Sequence, residues 1–227
     1  MKLIILAGGF GTRLKSVVGD LPKILAPIKG RPFLHHQIEN WKKNNLFDYF
    51  FLLHYQSNQI INFLENERSG ILNKCNFNFC VEKIPLGTGG SLMSVKNFLP
   101  QDDDFLLING DTWIIDGFEA IISSSAPSIL VSKVANCSRF GSVEFDHENY
   151  VIDFKEKKEI DGFAWVNSGL CKLNIRNLNG ENFNQCSIEE GVFKNLIKKR
   201  RLKAVQSNSQ FIDIGIPEDY ISFKSLF

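Results

Sequence analysis

An α/β fold, with a mainly parallel sheet flanked by helices and an inserted β-rich region, is predicted by two features of the sequence. Short, continuous apolar runs alternate with amphipathic stretches through the first half, and closely spaced β-rich segments replace them from Ser128 onward. Strands separated by helix-length segments need crossover connections, and those favour parallel pairing.

Leu3-Ile4-Ile5-Leu6-Ala7 is apolar throughout, the pattern of a strand buried on both faces, and Gly8-Gly9-Phe10-Gly11 ends it. Leu34, Ile38 and Trp41 recur at helical spacing, so residues 32–45 form an amphipathic helix with Pro32 near its start. Tyr49–His54 is the next strand, Ser57–Glu67 the next helix and Phe77–Val81 a third strand. A glycine-rich turn and a helix to about Phe98 follow; Phe105–Ile108 is then a fourth strand, stopped by Asn109-Gly110-Asp111. Ser128–Ala135, Ser142–Phe145, Val151–Phe154 and Trp165–Leu173 make up the β-rich insertion. Ile188–Lys199 is a helix, Leu202–Val205 and Phe211–Ile214 are short strands, and Pro217–Phe227 is a closing helix. No linker, low-complexity stretch or hexapeptide array interrupts the order.

The 227 residues suffice for a substantial core. With a formal net charge of +1 there is no global attraction to nucleic acid or anionic lipid, so phosphate binding must come from a local site. The cysteines (Cys75, Cys80, Cys137, Cys171, Cys186) are scattered and lack a Cys-x-x-Cys pair, which argues against a disulfide framework or structural zinc. The apolar start is too short for a signal peptide, and no run could span a bilayer. A cytoplasmic protein is expected.

Leu6-Ala7-Gly8-Gly9-Phe10-Gly11-Thr12-Arg13-Leu14 is the most informative segment. A buried strand running into glycines lets backbone amides approach an anion, and Arg13 adds a planar fork suited to phosphate oxygens. Lys23, after Pro22, offers a second cation. Two familiar phosphate loops fail: no lysine stands at P-loop spacing, and Leu14 is too large for the third glycine of the dinucleotide fingerprint.

These residues resemble the sugar-phosphate nucleotidylyltransferase family, whose signature is Leu-Ala-Gly-Gly-x-Gly-Thr-Arg-Leu followed by Pro-Lys. The likeness continues in order through Pro85-Leu86-Gly87-Thr88-Gly89-Gly90, Asn109-Gly110-Asp111, Arg139-Phe140-Gly141, Phe154-Lys155-Glu156-Lys157, Val166-Asn167-Ser168-Gly169 and Asp213-Ile214-Gly215-Ile216-Pro217-Glu218-Asp219-Tyr220. It implies a Rossmann-like mixed sheet of the GT-A-like nucleotidyltransferase type. It also implies one domain over 1–227, with a nucleotide-binding half at 1–125 and a sugar-phosphate-binding half at 126–227. The reaction implied joins a nucleoside monophosphate to a sugar 1-phosphate and releases pyrophosphate.

In such a reaction the attacking phosphate oxygen is already an anion, so charge neutralisation matters more than proton transfer. Asp111 at the end of an apolar strand and Asp213 after Phe211-Ile212 supply two hard carboxylates, the donors a Mg²⁺ bridging phosphates would use. The resemblance places aspartates at both positions for this purpose. It assigns Arg13 and Lys23 to the leaving pyrophosphate and α-phosphate, and Leu6, Ala7, Gly8, Gly9, Gly11, Thr12, Gly87, Thr88 and Gly110 to the nucleotide. Lys157 falls where the family holds the sugar phosphate, and Gly141, Glu156 and Asn167 where it contacts hydroxyls. Two departures stand out. Lys158 replaces a frequent proline, and Ile216 replaces threonine at the position before Pro217, where a side chain that cannot cap costs about 1 kcal/mol.

Glu82, at the end of the third strand, lies where the family reads the base. A carboxylate accepts both N–H donors of guanine's Watson–Crick edge, whereas uracil and thymine better suit an amide, so GTP is favoured. The compact chain looks most like bacterial enzymes acting on D-glycero-α-D-manno-heptose 1-phosphate or mannose 1-phosphate in surface-polysaccharide pathways, and the heptose is the expected substrate.

Other features point to structure. His35, His36, His54 and His147 lack ligand spacing. Lys198-Lys199-Arg200-Arg201 lies at a helix end, where cations complement the dipole, rather than forming a nucleic-acid patch. Asp102-Asp103-Asp104 reads as a solvated loop. A metal-dependent glycosyltransferase would carry Asp-x-Asp after a central strand, and Asp111-Thr112-Trp113 lacks the second acid. A silent nucleotide-sugar sensor would have no need of Arg13, Lys23, Asp111 and Asp213 together.

Overall fold

The computed structural model describes residues 1–100, 103–135, 140–155, 162–179, 185–208 and 210–226. In chain order, β1 (Lys2–Ala7) enters the glycine loop and a single turn, α1 (Lys15–Val18). A 3-10 turn at Lys23–Leu25 and a hairpin, β2 (Pro27–Ile28) and β3 (Arg31–Pro32), precede α2 (Phe33–Lys43), β4 (Asp48–Leu53), α3 (Ser57–Asn66) and β5 (Asn76–Val81). Next come α4 (Gly87–Met93), β6 (Asp104–Asn109), β7 (Thr112–Ile114), α5 (Phe118–Ser123) and β8 (Ser128–Val134). The chain continues with β9 (Ser142–Phe145), β10 (Val151–Lys155), β11 (Ala164–Asn174) and α6 (Lys194–Lys198), then β12 (Lys203–Ser207), β13 (Phe211–Asp213) and α7 (Pro217–Ser225).

The chain divides into two compact units. One comprises Met1–Pro85, Ile108–Trp113 and Ile212–Phe227, the other Leu86–Leu107 and Ile114–Phe211. In the first, β1 pairs with β4 and β4 with β5, all parallel, so that Leu3 lies beside Tyr49 and Tyr49 beside Phe77. Leu3, Ile4, Ile5 and Tyr49–Leu53 are buried, as continuous apolar runs covered on both faces should be. Leu34, Ile38 and Trp41 of α2 are buried too, which accounts for their helical spacing.

A second cluster in this unit joins distant segments. Leu14, Ala26, Ile28 and Phe33 pack against Ile214, Tyr220 and Phe223. The rings of Phe33 and Phe223 meet edge to face at 5.1 Å, and Tyr220 Oη donates to Pro27 O. Each large buried side chain contributes roughly 1.5–3 kcal/mol, enough to hold the Lys23 turn against the chain around Asp213. Ile216 is the N-cap of α7 without a side-chain cap bond, and Pro217 occupies the first turn.

In the second unit β11 lies antiparallel to β8, with Val166 also opposite Ser142 of β9; β9 is antiparallel to β10, and β12 is parallel to β8. The β8–β11 register shifts between Asn167 and Cys171, where Gly169 has φ +78°. Such a bulge re-aims the side chains beside it.

Several elements differ from the sequence expectation. The hairpin β2–β3, β7 and α5 are too short to show a period. The helix expected over Ile188–Lys199 opens with a π-helical turn at Glu189–Phe193, a geometry often found at functional sites. Asp104 is not part of a solvated loop: it opens β6, accepts a bond from Asn174 Nδ2 at 2.8 Å and lies 3.7 Å from the buried Lys172 ammonium. Asp102 falls outside the described residues. Arg200 does more than complement a helix end, because it bridges Asp146 and Glu148 and lies 4.6 Å from the centre of the Tyr150 ring. Among the described residues no helix is long and apolar enough to cross a membrane.

Candidate active site

The glycine loop is shaped by close backbone approach in the first unit. A Cβ on Gly8 would stand 3.2 Å from His54 Cβ, and one on Gly110 only 2.7 Å from Leu6 O. The Gly110 amide donates to that same Leu6 carbonyl at 2.8 Å, so the turn after β6 is stitched to the end of β1. Gly11 adopts φ +63°, and its missing side chain leaves room for the Lys23 stem, whose Cγ would lie 3.4 Å from a Cβ there. Ala7 is half-buried, and Gly9 and Thr12 are exposed. Arg13 is exposed as well and makes no hydrogen bond or ion pair with any described residue.

Lys23 is the centre of the constellation. Its ammonium donates to Asp111 Oδ2 at 2.5 Å, and both side chains are largely shielded, with 18% and 27% exposure. The bond between Ile214 N and Asp111 O, 3.0 Å long, ties the β7 turn to the segment after β13. Asp213 Oδ1 accepts the Gly215 amide at 2.7 Å. A Cβ at Gly215 would lie 2.7 Å from that oxygen and 3.3 Å from Lys23 Nζ, which brings Asp213 into the same small space. Gly11 and Asp111 thus contact the Lys23 side chain directly, and Asp213 stands close by across Gly215.

Glu82 follows β5, half-buried. Its amide donates to Leu53 O at 2.8 Å and its carbonyl pairs with His54 Nδ1 at 3.0 Å. The His54 ring also meets Phe10 edge-on at 5.5 Å. His54 therefore links the glycine loop to the Glu82 segment, a positioning role that lone histidine spacing gave no sign of. His36 has a structural role, its Nε2 paired with Ile28 O at 3.1 Å, while His35 lies near Arg31 and Glu39.

Within the second unit, Gly87 (φ +72°) and Gly89 pack against the backbone of Cys186 and Ser187, where a Cβ would come within 2.5 and 2.8 Å of carbonyl oxygens. Thr88 Oγ1 accepts the Ile188 amide at 2.8 Å. Gly141 is pressed to β10, a Cβ there falling 2.7 Å from Lys155 O. Asn167 turns its Oδ1 to the Gly169 amide at 3.1 Å and its Nδ2 toward Glu189 Oε1 at 3.5 Å. Burial pushes the Glu189 carboxyl above the ordinary carboxylate range. Glu189 left no mark in the sequence, because a glutamate opening an apolar helix reads as an ordinary first-turn acid, and Gly215 stood out only as part of its motif. Glu156, expected at the sugar hydroxyls, and Lys157, expected at the sugar phosphate, lie outside the described residues, as does Arg139.

Asp111 and Asp213 fit a hard divalent cation by donor chemistry, since they are two carboxylates near one another, one of them already bonded to a cation. Among the described residues no group of three or more His, Cys, Asp and Glu could hold a metal. One or two carboxylates completed by water and phosphate oxygens suit a hard divalent cation, and they lack the three or four protein ligands of a zinc site.

The family model for nucleotidyl transferases matches residues 2–226. The chain belongs to that family, whose members generally use a divalent metal. It is an enzyme of the sugar-1-phosphate nucleotidylyltransferase class, on the GT-A-like fold. It is 33% identical over 229 residues to the D-glycero-alpha-D-manno-heptose 1-phosphate guanylyltransferase of Campylobacter jejuni subsp. jejuni, covering 98% of each chain. A protein of the same name from Aneurinibacillus thermoaerophilus is 33% identical over 226 residues, covering 97% of this chain and 95% of that one. The crystal structure of HddC from Yersinia pseudotuberculosis complexed with GMP-PN is 32% identical, with a TM-score of 0.85 over 100% of this chain and 99% of that one.

Proposed function

We propose that the protein is a Mg²⁺-dependent guanylyltransferase that transfers GMP from GTP to D-glycero-α-D-manno-heptose 1-phosphate and releases pyrophosphate. The observation that carries this reading is the meeting of Lys23, Asp111 and Asp213 beside the Gly8–Gly11 loop. The guanylyltransferases it is similar to along nearly their whole length support the choice of nucleotide and sugar.

In this reading the amides of Gly8, Gly9 and Gly11 approach the triphosphate, with Leu6, Ala7 and Thr12 shaping the same loop. Arg13 and Lys23 meet charge on the α-phosphate and the departing pyrophosphate, and Glu82 accepts the N1–H and N2–H donors of guanine. Gly110 keeps the β6 turn close to β1, and Gly87 and Thr88 line the nucleotide from α4. Asp111 and Asp213 would hold Mg²⁺, which when bound polarises the phosphates and offsets their charge. Asn167 and the backbone of Gly141 recognise sugar hydroxyls, with Glu156 beside them and Lys157 on the sugar phosphate. The sugar phosphate oxygen attacks the α-phosphorus, the bond to the β-phosphate oxygen breaks, and pyrophosphate leaves in line. No protein group need remove a proton, because the nucleophile is an anion. We place the enzyme in the cytoplasm, where nucleoside triphosphates are available.

Mass spectrometry of the products tests the reading. GTP and the heptose 1-phosphate should give the GDP-sugar and pyrophosphate in equal amounts. GDP with a sugar transferred to an acceptor, or no product that needs both substrates, contradicts it.

A further inference from the structure

The ion pair of Lys23 raises a question that its role in chemistry leaves open. An ammonium bonded at 2.5 Å to Asp111 cannot also face phosphates at full strength, and Asp111 cannot offer that oxygen to a metal while Lys23 holds it. Lys23 Nζ and Asp213 Oδ1 are both close neighbours of the same point on Gly215. The lysine stem is steered there: it runs along the bare face of Gly11, from a 3-10 turn anchored by buried Ile24 and Leu25. A side chain with four rotatable carbons and a fixed root can move its tip by several ångströms without moving the turn.

We propose that Lys23 is a built-in stand-in for the metal: in the nucleotide-free protein its ammonium holds the Asp111 oxygen that a metal would need, with Asp213 close by, and metal binding displaces it. This deepens the proposed function, since it rests on those aspartates being the metal ligands. Two carboxylates gathered without a cation would repel one another, and the ammonium removes that cost in the free enzyme. Displacement then couples two events. The oxygen of Asp111 becomes available only as Lys23 is released, and released Lys23 is free to meet the incoming phosphates. Metal affinity of the free protein is lowered by the fraction of time that Lys23 holds the site.

Mn²⁺ binding to the nucleotide-free protein, followed by electron paramagnetic resonance, tests this with Lys23→Met. The variant should bind Mn²⁺ at least about tenfold more tightly than the wild type, the scale of a lost charge-assisted bond. Removing a positive charge could by itself improve cation binding, so a second measurement on the wild-type protein separates the two causes. Acylation of Lys23 by an amine-reactive ester, read by peptide mass spectrometry, should rise severalfold when Mn²⁺ saturates the protein. Equal Mn²⁺ affinities, or Lys23 labelling unchanged by Mn²⁺, overturns the proposal. If Asp111→Asn weakens Mn²⁺ binding while either of those results holds, the metal assignment stands and displacement alone fails. If Asp111→Asn in the Lys23→Met background leaves Mn²⁺ binding unchanged, the metal assignment falls and takes the proposal with it.

Discussion

Lys23 and Asp111, 88 residues apart in sequence, meet in a 2.5 Å ion pair that is largely shielded from solvent. β1 delivers the glycine loop against the Lys23 stem, and the turn after β6, bonded through Gly110 to Leu6, delivers Asp111. The contact is therefore a product of tertiary structure, and its partners should be sensitive to charge more than to size.

Asp111→Asn and Asp213→Asn should each lower turnover by at least about a hundredfold while circular dichroism shows a folded protein, since each keeps its volume but loses a hard ligand. Turnover near the wild-type level, at ordinary magnesium concentration, would remove that residue from the metal site.

Arg13→Ala should separate function from stability. The side chain is exposed and unpaired with any described residue, so the melting temperature should stay within about a degree or two. If Arg13 meets charge that develops on pyrophosphate, kcat should fall by roughly ten- to a hundredfold in single-turnover experiments. A raised KM with unchanged kcat would make it a binding contact only.

Much of this arrangement was legible before the fold was seen. The continuous apolar run of β1 and the glycines after it give away the loop, because a buried parallel strand and a close backbone approach each leave a compositional mark. The proximity of Lys23 to Asp111 and Asp213 leaves no such mark, and only the resemblance put the three in one site. Asn167 was visible in its motif, yet its partner Glu189 was not. Nothing local distinguishes a glutamate that a π-helical turn half-buries beside Asn167 from one on a solvated first turn. His54 was hidden for the same reason: its bonds to Glu82 O and its edge contact with Phe10 join segments far apart in the chain.

Glu189 gives a stability signature. Burial raises its carboxyl pKa, so the folded state binds the proton more tightly than the unfolded chain. That contribution is full below the ordinary carboxylate pKa of about 4.3 and is lost as pH rises through the folded value. Glu189→Gln carries no titrating group, so its stability relative to wild type should climb with pH over that window, as read by urea unfolding. A difference that stays constant with pH would show that the carboxyl is not held up by burial.

Glu82→Gln tests how the base is read. It places an amide against one guanine donor and removes a charge-assisted bond of roughly 1.5–3 kcal/mol, so kcat/KM for GTP should fall about ten- to a hundredfold. UTP and dTTP should lose less. An equal loss for every triphosphate would mean that Glu82 orders its loop and does not read the base.

The most direct measurement is pyrophosphate release by the wild-type enzyme, with GTP, ATP, UTP, dTTP and CTP each set against D-glycero-α-D-manno-heptose 1-phosphate, mannose 1-phosphate and glucose 1-phosphate. The account predicts release that requires both substrates and a divalent metal, with GTP and the manno-heptose phosphate the most efficient pair. Release favouring UTP or dTTP would contradict guanine recognition by Glu82, and no release with any pair would contradict nucleotidyl transfer itself.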